Sequence, residues 1–302
     1  MRLNSFQHFL FIYIFIFITA ALHAQQEPKF TMYWNNLSIF NPAVSGLIYR
    51  QYASVTTRHQ WACFTGAPKT ITALYDMRVK PLHGGIGVNY LFDELGFEKN
   101  HEFRLNYSYQ IVFENHCILS LGISGGIMRH YMEFSKLETI DNDPYIPQND
   151  EWVLRYITTG GVYLKSRHWE GGISMKQLYK TQSRQKTEYG RFEYPASRQY
   201  WLTSAYTIDL PGSLVARPGF LLMTDETTWT VDVNLLLMYR SRYWAGITYR
   251  NDDMVAFMGG IDIAGKFRVG YAYDVFEKSL RKSSQGSHEI VLSFMTGGII
   301  AN

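Results

Sequence analysis

Cysteine is nearly absent. Cys63 and Cys117 are the only two in 302 residues, too few for a disulfide framework in a chain of this size, and no disulfide between them is expected. Cys117 falls on an apolar strand face and Cys63 in a connection. Beyond the N-terminus no apolar run approaches the roughly 20 residues that a membrane-spanning helix requires. Helical spans are therefore not expected there, although apolar residues make up 46% of the chain. Charge of one sign is lacking too: the net charge is +3 and the basic residues are scattered, which leaves no basic stripe for nucleic acid. Also missing are a Walker-type phosphate loop, a nucleophile elbow and a His-Glu-x-x-His pair. The chain reads as non-enzymatic, with no catalytic, cofactor or metal site. Asp141-Asn142-Asp143 with Asp150 and Glu151 comes nearest to a calcium loop, but it lacks the glycine and the terminal glutamate of an EF-hand and reads as a solvated acidic loop.

What the chain has in abundance is alternation. Phe103, Leu105, Tyr107, Tyr109, Ile111 and Phe113 share one face, and Glu102, Arg104, Asn106, Ser108 and Gln110 share the other. That is the period of a strand. It returns in Trp229, Val231, Val233, Leu235, Leu237 and Tyr239 against Thr230, Asp232 and Asn234, and in Tyr200, Leu202, Tyr206 and Ile208 against Thr203, Thr207 and Asp209. About fourteen such strands are predicted after residue 50, each near the ten residues of a bilayer-crossing strand. Connections of about two residues alternate with long ones over 132–150, 179–197 and 276–287, as short periplasmic turns alternate with longer outer loops. The pattern predicts an all-β chain folded as an antiparallel transmembrane β-barrel in the outer membrane of a Gram-negative bacterium, with lipid against its outer face. Aromatics at 16% suit interfacial girdles. A soluble aromatic-rich β-sandwich is the competing architecture.

The N-terminus carries an address. Arg2 precedes an apolar run from Phe9 to Leu22, followed by Leu22-His23-Ala24 and Gln25, the plan of a secretory signal peptide. Cleavage is expected after Ala24, with Ala21 as the alternative. The expected organisation is a signal peptide over 1–24, an extended arm or plug over 25–49, the barrel over 50–296 and a C-terminal tail over 297–302. The arm carries Phe30, Tyr33, Trp34 and Phe40 and the turn Asn41-Pro42-Ala43-Val44-Ser45-Gly46. It reads either as a plug, in the lumen or against the periplasmic rim, or as a plain lead-in to the first strand.

An ordered set of residues resembles a known family. Asn41-Pro42-Ala43 with Gly46 is followed by Arg58-His59-Gln60-Trp61, then Phe64 and Gly66-Ala67-Pro68-Lys69-Thr70. Next come Gly85-Ile86-Gly87-Val88-Asn89, Tyr271-Ala272-Tyr273-Asp274, and Gly286-Ser287-His288-Glu289-Ile290. Together these resemble the PorP/SprF outer-membrane proteins of type IX secretion and gliding in Bacteroidota. Cys63 stands where that pattern leads one to expect a small residue. The resemblance implies a barrel that supports export or surface attachment of large adhesins, notably those with a type B C-terminal sorting domain. It also implies a periplasmic OmpA-like peptidoglycan-binding protein and other type IX components as partners.

The candidate docking residues are therefore Asn41, Pro42, Gly46, Trp61, Phe64, Gly66, Pro68, Gly286, His288 and Glu289. Trp61 and Phe64 bracket the first outer connection, Gly66 permits positive φ and Pro68 stiffens the return. The loop is either a docking or gating element or a rigid hairpin that fixes register. His288 is expected to be a hydrogen-bonding residue of the rim or lumen. Arg58, Asp76, Arg78, Arg104, Arg155, Asp232 and Asp262 are expected to line the lumen in mutual pairs. The fourth outer loop looks basic, with Lys176, Lys180, Arg184, Lys186 and Arg191. On the last strand Ile290, Leu292 and Phe294 face outward. The alternative function is an outer-membrane channel or binding barrel for a small solute; an outer-membrane hydrolase lacks a legible nucleophile and base.

Overall fold

The computed structural model describes residues 27–114, 116–137, 149–179, 182–187, 190–195, 197–225, 227–252, 254–276 and 285–298. The expected signal peptide, the Asp141–Asp143 run and the last residues of the tail lie outside them. The strands are β1 (Tyr49–His59), β2 (Lys69–Val79), β3 (Gly84–Leu95), β4 (Glu98–Val112), β5 (Ile118–Met132), β6 (Glu151–Lys165) and β7 (Trp169–Lys176). They continue with β8 (Gln182–Thr187), β9 (Gly190–Pro195), β10 (Gln199–Tyr206), β11 (Ile208–Leu210), β12 (Leu214–Thr224), β13 (Trp229–Tyr239), β14 (Tyr243–Arg250), β15 (Met254–Ile263), β16 (Phe267–Phe276) and β17 (Ser287–Gly298).

Consecutive strands pair antiparallel, and β1 closes on β17 from Tyr49 opposite Gly298 to His59 opposite His288. On the far side β10 joins β7 to β12, and β11 continues along β12. With β10 and β11 counted as one interrupted stave, and β8 and β9 forming a separate hairpin, the barrel has fourteen staves. Closure leaves no edge, which a sheet in lipid requires. The hairpin β8–β9 falls inside the stretch expected to be one long loop. Its segments are short and polar, so no apolar face marked them as strands. The barrel extends two residues into the expected tail, and its first strand opens one residue early.

One end of the barrel carries the compact connections 80–83, 113–117, 166–168, 211–213, 240–242 and 264–266. The other carries 60–68, 133–150, 177–198 and 277–286 besides three tight turns. Alternation of side chains matches the pleat. On β4, Glu102, Arg104, Asn106, Ser108 and Gln110 are buried toward the lumen, whereas Phe103, Leu105, Tyr107, Tyr109 and Ile111 are exposed on the outside. Exposed Val55, Ile123, Ile173, Val233, Phe257 and Leu292 continue that apolar surface around the barrel. A band of this extent is far larger than the apolar patches of soluble proteins and requires a lipid surround.

Residues 30–47 fill the interior instead of running along the wall in an extended course. They coil through 3-10 turns at Tyr33–Asn35 and Pro42–Val44, on either side of the one-turn helix α1 (Leu37–Phe40). Phe30, Tyr33, Leu37, Phe40, Val44 and Leu47 pack on the inward-facing Ile118, Tyr163, Trp201, Leu221 and Met223. Trp34 meets Trp244 edge-on at 5.2 Å. The lumen therefore has a hydrophobic core, built against the arm.

Leu105 faces outward midway along β4 and is 56% exposed. Leu105→Arg is expected to cost roughly 2–4 kcal/mol by placing a cation in hydrocarbon. Denaturant unfolding from lipid vesicles measures it, and an unchanged midpoint would contradict the assignment of this face to lipid.

Candidate functional site

The short turns of the arm pair some of its carbonyls internally, such as those of Met32, Tyr33 and Leu37, and leave others that need a donor from the wall. The wall supplies them in sequence. Tyr52 donates to the carbonyl of Asn35 at 2.8 Å and Asn89 to that of Ser38 at 2.9 Å. Arg104 donates to the carbonyl of Ile39 at 2.7 Å and Ser174 to that of Phe40 at 2.9 Å. Ser120 and Ser108 donate to the carbonyls of Ala43 and Ser45, at 2.6 and 2.7 Å. The polar inward face read from the strand pattern is thus a set of donors matched to one peptide.

Buried charges fix the start of this arm. Arg58 donates to Asp274, to Glu289 at 3.0 Å and to the Thr31 hydroxyl at 3.1 Å. Glu289 in turn accepts the backbone N–H groups of Thr31 and Met32, at 2.8 and 2.9 Å. Arg268 holds Asp262 with two hydrogen bonds at 2.7 Å, donates to Asn35, and lies 4.9 Å from the centre of the Trp34 ring. Arg250 pairs with Asp232 through two bonds of 2.6 and 2.7 Å. Lys176 bridges Glu102 at 2.7 Å and Glu27 at 2.6 Å. Lys176 was expected in a basic outer loop; it ends β7 with its side chain turned inward and buried, so it belongs to the lumen.

Glycines make room for the end of the arm. A Cβ on Gly122 would lie 2.0 Å from the Ala43 nitrogen, and one on Gly85 would lie 2.1 Å from the Ser45 carbonyl oxygen. Gly46 adopts φ +64°, where the chain turns out of the lumen toward β1.

The ten candidate residues fall into two groups. Asn41, Pro42 and Gly46 sit in the lower lumen: Asn41 caps its own turn through the Ala43 N–H and donates to the carbonyls of Val162 and Ile173. Trp61, Phe64, Gly66, Pro68 and Gly286 gather at the long-loop end. There Ala62 N–H donates to the Gly286 carbonyl, Gln285 N–H to Ala62, Gly96 N–H to Gly66 and Gln60 N–H to Pro68. Connection 60–68 is thereby tied to two neighbouring connections, with Phe64 exposed. His288 belongs to the rim and not to the lumen: it points outward and hydrogen-bonds the Tyr271 hydroxyl at 2.7 Å. Glu289 is the lumen residue that joins the rim to the arm.

Glu102, placed by the alternation on the polar face of its strand, is a lumen charge, and Asp274, Arg250, Arg268, Glu170 and Arg217 join it from inward positions. The inward Trp201, Trp244, Leu221 and Met223 were hidden by a polar-in rule, because they pack on the arm.

Two carboxylates at the long-loop end are favoured as anions by local hydrogen bonds. Asp150 is held below the usual range by hydrogen bonds from Tyr131 and Ser135. Burial pushes Asp225 upward, but the N–H and hydroxyl groups of Thr227 and Thr228 outweigh it and hold it below that range. At the short-turn end a cavity of about 210 Å³ opens among Tyr49, Tyr52, Asp76, Trp169, Glu170 and Arg217. Among the described residues no cluster of His, Cys, Asp and Glu is arranged to hold a metal ion.

Residues 22–294 match the family model described as type IX secretion system membrane protein PorP/SprF. No curated protein matches the chain. Among solved structures, a FadL homologue of Pseudomonas aeruginosa superposes with a TM-score of 0.51 at 9% identity, over 84% of this chain and 91% of that one. The outer membrane protein Omp33 of Acinetobacter baumannii gives 0.48 at 7% identity, covering 83% of this chain and 100% of its own. The toluene transporter TbuX of Ralstonia pickettii gives 0.49 at 10% identity, over 86% and 92%. At these identities the likeness is one of fold.

Arg58→Met would leave Asp274 and Glu289 buried beside each other without their cation, which is expected to cost about 3–5 kcal/mol. The triple variant R58M/D274N/E289Q removes both stranded charges and is expected to recover most of that loss. Thermal unfolding in detergent compares the three; a single variant as stable as the parent would show that the cluster does not hold the arm.

Proposed function

Because the chain belongs to the PorP/SprF family of type IX secretion system membrane proteins, we propose that it is a non-enzymatic docking barrel of the outer membrane that supports export or surface attachment of large adhesins. Its long-loop end then faces outward and its compact turns face the periplasm, as in other outer-membrane barrels. The observation that carries the reading is the filled lumen: an arm hydrogen-bonded to the wall along its length leaves the two ends of the barrel as the working surfaces.

On the outer side, connection 60–68 is a shaped element with Phe64 exposed at its tip, tied down by Gly66, Gly96 and Gly286. An adhesin with a type B C-terminal sorting domain is the partner proposed there. On the periplasmic side, the cavity among Tyr49, Trp169 and Glu170 is open to a side chain from a partner. An OmpA-like peptidoglycan-binding protein, together with other type IX components, is proposed on that face. The second reading, a barrel that passes or binds a small solute, draws on the same cavity.

Deletion of the gene, with complementation from a plasmid, and quantitative proteomics of the cell surface and culture fluid test the proposal. Loss of one or a few large surface adhesins is the expected result. An unchanged set of exported proteins would contradict it and favour the solute reading.

A further inference from the structure

The direction of the arm has a topological consequence. Strand β1 leaves the short-turn end at Tyr49, and Gly46 just before it packs against Met77 and Gly85 at the same end. Followed backward, the arm crosses the lumen to the opposite end. Thr31 and Met32 bind Glu289, the third residue of β17 below the long-loop rim. Lys29 pairs with Asp252, in the connection between β14 and β15 at that rim, at 3.3 Å. Glu27 pairs with Lys176, the last residue of β7 at the same end. Glu27 and Lys29 also line a small crevice with Gln199, Asp225 and Thr228, the latter two in the connection from β12 to β13.

Five elements of the long-loop end thus grip the first described residues, so the arm runs through the barrel against the direction of β1. We infer that the arm begins at the outer mouth, which places its amino end, at Glu27, on the cell surface. This rests on the orientation given under the proposed function. The amino end of the arm is then part of the outer docking surface, seated by a Lys176–Glu27 and a Lys29–Asp252 pair of opposite polarity. Both pairs are lost if the amino end of the arm sits at the short-turn end.

Thiol labelling of intact cells with a membrane-impermeant maleimide tests this. The parent carries an outer reference in Cys63, exposed in connection 60–68. In a background lacking Cys63 and Cys117, Gln26→Cys reports on the start of the arm and Ser241→Cys on a periplasmic turn. Cys63 in a variant lacking only Cys117, and Q26C, are expected to label in intact cells to the level reached after outer-membrane permeabilisation, and S241C only after permeabilisation. Labelling of Q26C only after permeabilisation, with Cys63 reactive from outside, would overturn the inference and leave the barrel orientation standing. Labelling of S241C from outside, with Cys63 protected, would overturn the orientation and the inference together. An epitope inserted between Gln26 and Glu27 and probed with antibody applies the same criterion without a buried thiol.

Discussion

Satisfying an irregular backbone inside a membrane barrel is the constraint on which the rest depends. The backbone of the wall is satisfied by its own strands. The arm is different. Its coiled course through 30–47 exposes carbonyls that helical turns of three or four residues cannot pair. Six wall side chains from β1, β3, β4, β5 and β7 donate to six of those carbonyls. The pairs Arg58–Glu289 and Arg268–Asp262 hold the segment at two levels, and Gly85 and Gly122 leave space for its lower turn. Buried ion pairs by themselves contribute little net stability; their use here is to specify one position and one direction for the arm.

This explains why the candidate residues fall into two groups with different surroundings. Asn41, Pro42 and Gly46, together with Gly85 and Gly87, are complementary surfaces of a plug and its seat. Trp61, Gly66, Pro68 and Gly286 build the rim above the β1–β17 closure. Glu289 connects them, since its carboxylate holds the arm while its neighbour His288 faces outward on the rim. A partner that moved the rim would act on the anchor of the arm through two adjacent residues of one strand.

The barrel was legible because its signal is local: a period of two, with turns between. Strands such as Lys69–Val79 and Glu151–Lys165 fall between the expected connections, since polar turns end them sharply. The coil of the arm was not legible, because its shape is imposed by donors on five strands of the wall and not by its own propensity. For the same reason Trp201 and Trp244, inward-facing on strands whose other inward residues are polar or small, made sense only against Phe40 and Trp34. Lys176 was misplaced because charge near a loop looks solvated until the alternation is carried to the last residue of the strand.

The central claim is that the arm stays seated in the working protein. Ser38 and Asn89 place their side-chain oxygens 3.4 Å apart, one on α1 and one on β3. In cells lacking the native cysteines, the double variant S38C/N89C should form a disulfide in the outer membrane, and the exported set should match the parent under oxidising conditions. Failure of the cross-link to form would contradict the observed path of the arm. A cross-link that forms and abolishes export would contradict a permanently filled lumen.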